Sequence, residues 1–532
     1  MQNAAAASSI PQRSFSAGPP AAGSGPLPAR PRAPGIALVL AALAAGIAGD
    51  ALLRAGPMGI NVALWAAVLA ALLFALARGQ AVVSRFDDAL GAGLLLLFAA
   101  GFAWRTDPWL LFLNLCGLGT VIALAALRRP ARRLAASGLL DYIKGAVLTA
   151  IYLAAGPPLL VFRDTDWTPA HGASRRLLVA LRGALLAFPF LLLFGALLMG
   201  ADPVFQHLIR ARLHINLPTL ISHTFLILFF AWLAGGFYHG TFHYDPERLR
   251  LPARPEGFGM DAAEIGTALG LLDALFLIFM SVQFRYLYGG AQRVMVTPGL
   301  TYADYARRGF FELTAVVALA LPLLLGTHWL LRRGGGEPAA GRPRAYLLPA
   351  AAMVALVFAI LVSALYRMHL YQQAYGLTEL RVYTMAFMLW LGVVLGWFAG
   401  TVLRGQKRRF AGGVLATGLA AIMALEIINP AGLIARVDLQ RAIQGRKADP
   451  YYVAWLGPDA VPAIVSELPR LARPAQCAML EGFNYALKND LRPPRDWRTW
   501  NWSRWEGRRL AEAAVAAGKR TPCPNPNAEN SQ

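Results

Sequence analysis

Long apolar runs alternate with short polar connections along most of this chain. Eleven runs come close to, or exceed, the ~20 apolar residues that take a helix across ~30 Å of hydrocarbon. They are 35–53, 58–77, 89–104, 108–127, 177–200, 219–241, 263–283, 310–331, 345–366, 380–403 and 410–428. Each predicts a transmembrane helix, since lipid offers no other partner for the backbone N–H and C=O groups. A further stretch, DYIKGAVLTAIYLAAGPPLLVF (141–162), is as apolar but is interrupted by Gly156, Pro157 and Pro158. It is left open as a spanning element.

After residue 428 the period changes. NPAGLIARVDLQRAI (429–443), DPYYVAWLGPDAVPAIVSELPRLA (449–472) and AQCAMLEGFNYALKND (475–490) have amphipathic helical spacing, with Asn-Pro and Asp-Pro starts and a Gly-Pro turn. The expected architecture is all-α: a polytopic integral membrane bundle of about 11 transmembrane helices over 35–428, followed by a small helical domain over 429–515. Residues 1–34, rich in Ala, Pro, Gly and Ser, and residues 516–532 predict disordered tails.

Composition agrees. Hydrophobic residues make up 57% of the 532 and charged residues 15%, against roughly 45–50% and 25% in soluble chains. A net charge of +21 would point to nucleic acid in a soluble protein, but here it sorts by loop. The three most basic short loops are 128–133 (RRPARR), 332–344 and 404–409. The positive-inside rule puts all three in the cytoplasm, which requires that 141–162 does not cross completely. On that orientation 23 Lys and Arg lie in inside segments and 9 in short outer loops. The N-terminus is then cytoplasmic, the C-terminal domain is extracytoplasmic, and no nucleic-acid partner is expected. Cys116, Cys477 and Cys523 have no CxxC spacing. Cys477 and Cys523 would lie in an oxidising space, where a disulfide is open to them.

The polar chemistry collects on the outer side. FRYLYGGAQRVMVTPGLTYADYARRGFFEL (284–313) and RMHLYQQAYGLTELRVY (367–383) are dense in Tyr and Arg, and ADPVFQHLIRARLHINLP (201–218) joins them. TYADYARRGFFEL has helical spacing and predicts an amphipathic helix at the interface, where Tyr rings are favoured. The candidate substrate-binding set is Asp273, Arg285, Tyr302, Tyr305, Arg307, Arg308, Glu312, Arg367, His369, Tyr375, Thr378 and Arg381. Asp273 is included because it is mid-span, where a carboxylate costs ~2.5–3.5 kcal/mol on insertion scales and so faces protein or water. A helix–helix hydrogen bond is the plainer account of Asp273, and interfacial anchoring that of the tyrosines.

His239 and His243 stand four apart on one helix face, yet no third ligand of matching strength accompanies them, so no metal and no cofactor is expected. No P-loop and no kinase signature occurs. Near the C-terminus, Trp497, Trp500, Trp502 and Trp505 alternate with Arg. This pattern suits anionic lipid headgroups at the bilayer surface, or simply the packing of the small domain.

Several phrases together resemble a bacterial group. They are LLDALFLIFMSVQFRYLYGG (271–290), GLTYADYARRGFFEL (299–313), LYRMHLYQQAYGLTELRVY (365–383), NPAGLIARVDLQRA (429–442) and DPYYVAWLGPDAVPAI (449–464). Over roughly 170–515 the chain resembles the polytopic membrane proteins catalogued as domain of unknown function 4173, with its relative 4153. The resemblance implies many spans, a helical extracytoplasmic tail and a bacterial inner membrane, but no catalytic residue. Three functions fit: a binding, sensing or scaffolding module with an envelope partner, an ion-coupled transporter using Asp273, and an envelope enzyme acting on a lipid-linked or anionic substrate.

Overall fold

The computed structural model describes residues 35–77, 85–127, 138–165, parts of 183–202, 217–243, 259–288, 310–331, 344–446 and 448–518. Among these residues the chain is helical and has no strand. The long helices are α1 (Gly35–Leu53), α2 (Ile60–Ala77), α3 (Arg85–Trp104), α4 (Pro108–Leu127), α5 (Leu139–Phe162), α6 (Leu217–His243), α7 (Ala262–Tyr288), α8 (Phe310–Leu330), α9 (Arg344–Tyr375), α10 (Glu379–Thr401) and α11 (Phe410–Ile428). Ten of them are long and apolar enough to cross a membrane; the apolar part of α3, Ala89–Trp104, is shorter. The expected run 177–200 and the amphipathic segment around Tyr302 lie wholly or largely outside the described residues.

Close backbone approach sets how the first helices pack. α1 and α6 run antiparallel, with Asp50 beside His223 and Ala42 beside Gly235. A Cβ on Gly46 would come within 2.4 Å of the Ile227 carbonyl. Small residues give this contact because, in lipid, helices associate through close van der Waals packing. Leu38, Leu69, Leu160 and Tyr238 join α1, α2, α5 and α6 in one core. Ala66, Phe98 and Leu118 join α2, α3 and α4 in another, with Leu419 and Ile422 of α11 packed on it. Leu269, Leu324, Val357, Met388 and Phe398 join α7 to α10 in a third.

The interrupted stretch 141–162 forms one helix, α5, that contains both prolines. It does not run alongside α6. Tyr152 sits beside Gly240 and Gly156 beside Gly236, while Asp164 Oδ2 reaches His239 Nε2 at 2.8 Å. From Tyr152 to Asp164 a helix advances about 18 Å, yet its partners stay within a single turn of α6. The crossing is therefore steep. Asp164 also lies against Gly35, at the start of α1.

α9 is longer than expected. Its 32 residues span about 48 Å at 1.5 Å each, so RMHLYQQAY continues the helix instead of forming a loop. The turn to α10 is only residues 376–378, with Gly376 at φ +77°. No Gly or Pro occurs between Arg367 and Tyr375, so the helix continues until Gly376, a residue that tolerates positive φ, ends it.

The C-terminal domain contains α12 (Pro430–Ile443), α13 (Pro450–Ala454), α14 (Val461–Glu467), α15 (Arg473–Lys488) and α16 (Trp502–Gly518). Its core includes Ile434, Leu439, Val461, Ile464, Met479 and Phe483. Asn429 links it directly to α11. It adopts the left-handed conformation at φ 54°, and its Oδ1 accepts from Gly432 N at 3.1 Å, capping α12 with Pro430 in the first turn. Cys477 is disulfide-bonded and Cys116 is free.

Candidate functional site

The C-terminal domain sits on one end of the bundle and is held there by polar groups. Three turns present backbone groups at that end: 54–59 between α1 and α2, 105–107 between α3 and α4, and 376–378. Asp459, 2% exposed, is the main acceptor. Its Oδ2 takes Thr106 N at 2.7 Å, Thr106 Oγ1 at 2.6 Å and Asp107 N at 2.8 Å. Its Oδ1 takes Ser503 Oγ at 2.5 Å and faces Arg105 at 3.8 Å. Arg105 also donates to the Glu426 carbonyl at 2.7 and 3.0 Å. The buried Glu426 carboxylate accepts from the Asn114 amide.

Asn501 donates to the carbonyls of Phe102 and Arg105 at 2.9 and 3.0 Å. Ile60 N donates to the Trp500 carbonyl at 2.9 Å, and Arg504 to that of Met58 at 2.7 Å. Burial lowers the pKa of Arg504, and Asp459 opposes that shift. A Cβ on Gly59 would stand 2.5 Å from the Trp500 carbonyl, so this contact requires glycine.

A second clasp uses the phrases that carried the family resemblance. Asp438 accepts from Leu377 N at 2.8 Å, and Arg441 donates to the Gln373 carbonyl at 2.7 Å. Arg381 donates to the Gly376 carbonyl at 2.7 Å and stacks over Tyr371 at 4.2 Å. Tyr452 Oη accepts from Glu379 N at 3.1 Å. Burial raises the Asp438 pKa, against the lowering effect of Leu377 N, Arg441 and Arg381. Burial likewise raises Tyr452.

Between the domain and the helix ends lies a cleft of about 890 Å³, within the ~300–1,000 Å³ range of ligand pockets. On the bundle side it is lined by Ala55, Pro57, Thr106, Asp107 and Glu379. The domain contributes Trp455, Trp500, Trp505, Arg495, Arg504 and Arg508. Asp107 is 5% exposed. Its Oδ1 caps α4 by accepting from Trp109 N at 2.8 Å and Leu110 N at 3.3 Å. Burial raises its pKa, and the nearby Asp459 carboxylate adds to the shift.

The sequence-derived candidates fall elsewhere. Arg367 is buried and hydrogen-bonded to Gln283. His369 Nε2 meets Gln373 Nε2 at 2.9 Å on the exposed side of α9. Tyr375 stacks on Tyr371 with ring centroids 5.1 Å apart. Thr378 precedes the first turn of α10, and Arg381 belongs to the clasp. Glu312 is exposed in the first turn of α8. Asp273 is half-buried in mid-α7, with a buried Oδ1 that makes no hydrogen bond. Arg285 lies in α7, where its side chain is outside the described part; Tyr302, Tyr305, Arg307 and Arg308 are outside the described residues altogether. The structure thus brings Tyr375, Thr378 and Arg381 together at the clasp and does not bring Asp273 or Glu312 to them.

Asp107, Glu379 and the arginines of the cleft were not in that set. Asp107-Pro108 before an apolar run was readable as a helix cap, and the Trp/Arg alternation marked one wall. Neither showed that they meet. His239 is paired with Asp164, and among the described residues no group of three or more His, Cys, Asp or Glu could hold a metal ion.

This geometry belongs to a multi-pass helical membrane protein with a docked C-terminal helical domain. The chain belongs to the family described as domain of unknown function (DUF4153), whose pattern matches residues 92–467. That is the relative of the group expected from sequence; the 4173 name itself is not matched. The match starts within α3 and ends with α14, so it takes in the bundle from α3 onward and the first half of the domain, and leaves out α1 and α2. No curated protein and no solved structure matches the chain.

Proposed function

We propose that the protein is a membrane-embedded binding or sensing module whose ligand site is the cleft between the C-terminal domain and the ends of the bundle. The observation that carries this reading is the cleft itself, about 890 Å³ and bounded by both parts of the chain. A ligand there touches the domain and the turns after α1 and α3 at once, so occupancy bears directly on how the domain sits. We place this face outside the cell. The orientation draws support from the basic loops 128–133, 332–344 and 404–409, and from the disulfide at Cys477, which suits an oxidising compartment.

The test is native mass spectrometry of the full-length chain released from its own membrane. The wild type should retain a non-protein mass that a Trp455→Ala, Trp505→Ala variant loses. Both tryptophans are on the cleft and exposed, so folding is spared. Equal masses on the two proteins, or none on either, would defeat the reading.

Asp273 favours a second reading, ion-coupled transport, because its buried Oδ1 in mid-span lacks a hydrogen bond. If Asp273→Asn leaves a pH-dependent flux in proteoliposomes unchanged, that reading fails.

A further inference from the structure

Two incompletely paired groups of opposite charge line the cleft. Asp107 spends one oxygen on the α4 cap, while its buried Oδ2 makes no hydrogen bond. The Tyr383 hydroxyl interacts with this carboxyl but stays outside hydrogen-bond geometry and is itself unpaired. Glu379 lines the same floor and interacts electrostatically with Asp107. On the domain side, Arg508 uses Nε on Glu512 at 2.8 Å, and its buried Nη1 has no acceptor. A buried polar group left unmatched is costly, more so when it carries charge. Asp107 Oδ2 makes no hydrogen bond to a donor and Arg508 Nη1 makes none to an acceptor, and both residues line one cavity.

We propose that the cleft binds a zwitterion of the amino-alcohol phosphate class, its ammonium against Asp107 and Glu379 and its phosphate on Arg508, with Arg495 at the rim. An ammonium brings three donors to a floor that holds two carboxyl groups, one of them with an oxygen that makes no hydrogen bond. A phosphate suits a guanidinium, which meets two oxygens at once. The cleft begins at the ends of α1, α4 and α10, where a bilayer surface would lie. The ligand chemistry therefore comes either from a lipid headgroup with its chains in the bilayer or from a free phosphate ester. This proposal rests on the cleft being the binding site and goes further only in naming what fills it.

The probes are O-phosphoethanolamine, ethanolamine and inorganic phosphate, titrated calorimetrically into the detergent-purified full-length chain. A second arm is native mass spectrometry from nanodiscs of phosphatidylethanolamine or phosphatidylglycerol. The ester should bind at least about tenfold more tightly than either half, the scale of one lost charge-assisted hydrogen bond. Asp107→Asn, which keeps a capping oxygen for α4, should remove the advantage over phosphate. Arg508→Gln should remove the advantage over ethanolamine. Retained phosphatidylethanolamine that the ester displaces identifies the lipid as the source; ester binding with no retained lipid identifies the free compound. Phosphate binding as well as the ester, or an Asp107→Asn variant that binds like wild type, overturns the zwitterion. If none of the probes or lipids binds while the tryptophan variant still loses its native mass, only the ligand class falls. If that loss is absent too, the cleft reading falls with it.

Discussion

Asp459 ties its own turn before α14 to two other parts of the chain through one carboxylate: the turn between α3 and α4, including Arg105, and the start of α16. Removing it leaves Arg105 and four donors (Thr106 N, Thr106 Oγ1, Asp107 N and Ser503 Oγ) without their acceptor, which for a buried pair costs about 3–5 kcal/mol. Asp459→Ala should lower the thermal unfolding midpoint of the purified chain and release the domain to protease, whereas Asp459→Asn should do less. Unfolding as in wild type would show that the junction is held elsewhere. Asp438 behaves differently. Burial raises its pKa in the folded chain, so its contribution is complete below the unfolded-state value of ~3.9 and is lost as pH rises through the raised value. Its neighbours are Leu377 N, Arg441, Arg381 and Asp449. Domain release by protease should therefore ease as pH rises through that range, and Asp438→Asn should flatten this part of the profile. An unchanged profile in Asp438→Asn would assign the dependence to another group. At this scale the sequence was partly readable. Asn429-Pro430 announces a cap, and Asn429 is one. Asp459, inside a Gly-Pro-Asp turn, looks like any turn residue, because its partners in the bundle lie more than 350 residues away.

Helix existence could be read from apolar run length, since lipid imposes that length directly. Helix inclination could not. α5 has the length and apolarity of a span, yet its steep crossing of α6 and its end beside Gly35 put its C-terminus at the start of α1, the bundle end opposite the domain. α4 also finishes at that opposite end, because it starts at Asp107 under the domain. Cysteines placed at Gly138 and Asp164 should consequently react with a maleimide from the same side of the membrane. Reaction from opposite sides would make α5 a span, and loop 128–133 could then no longer share a side with 332–344 and 404–409. The turn after α9 is the other element whose role only packing revealed. Gly376 combines φ +77° with a Cβ position 2.6 Å from Asp438 Oδ1, so Gly376→Ala should cost about 1–3 kcal/mol, read by thermal unfolding. Stability equal to wild type would mean that the clasp is loose.

Across the whole molecule, the domain and the basic loops should lie on opposite sides. In a chain without native cysteines, Glu512→Cys should be labelled in intact cells by an impermeant maleimide, and Gln406→Cys only after lysis. The reverse pattern would invert the topology. That this chain is an all-α membrane protein with a distinct helical C-terminal part could be read from the residues alone, because hydrophobic length and period are local properties that each segment carries. The sequence also marked the tyrosine- and arginine-rich phrases as special. What several of them do follows from packing: Asp438 and Arg441 fasten the domain to the turn after α9, and Arg381 braces that turn by donating to the Gly376 carbonyl and stacking over Tyr371. The cleft was likewise beyond the sequence. Asp107, Glu379 and Arg508 come from three distant segments, and a site made of distant segments exists only once packing has brought them to one place.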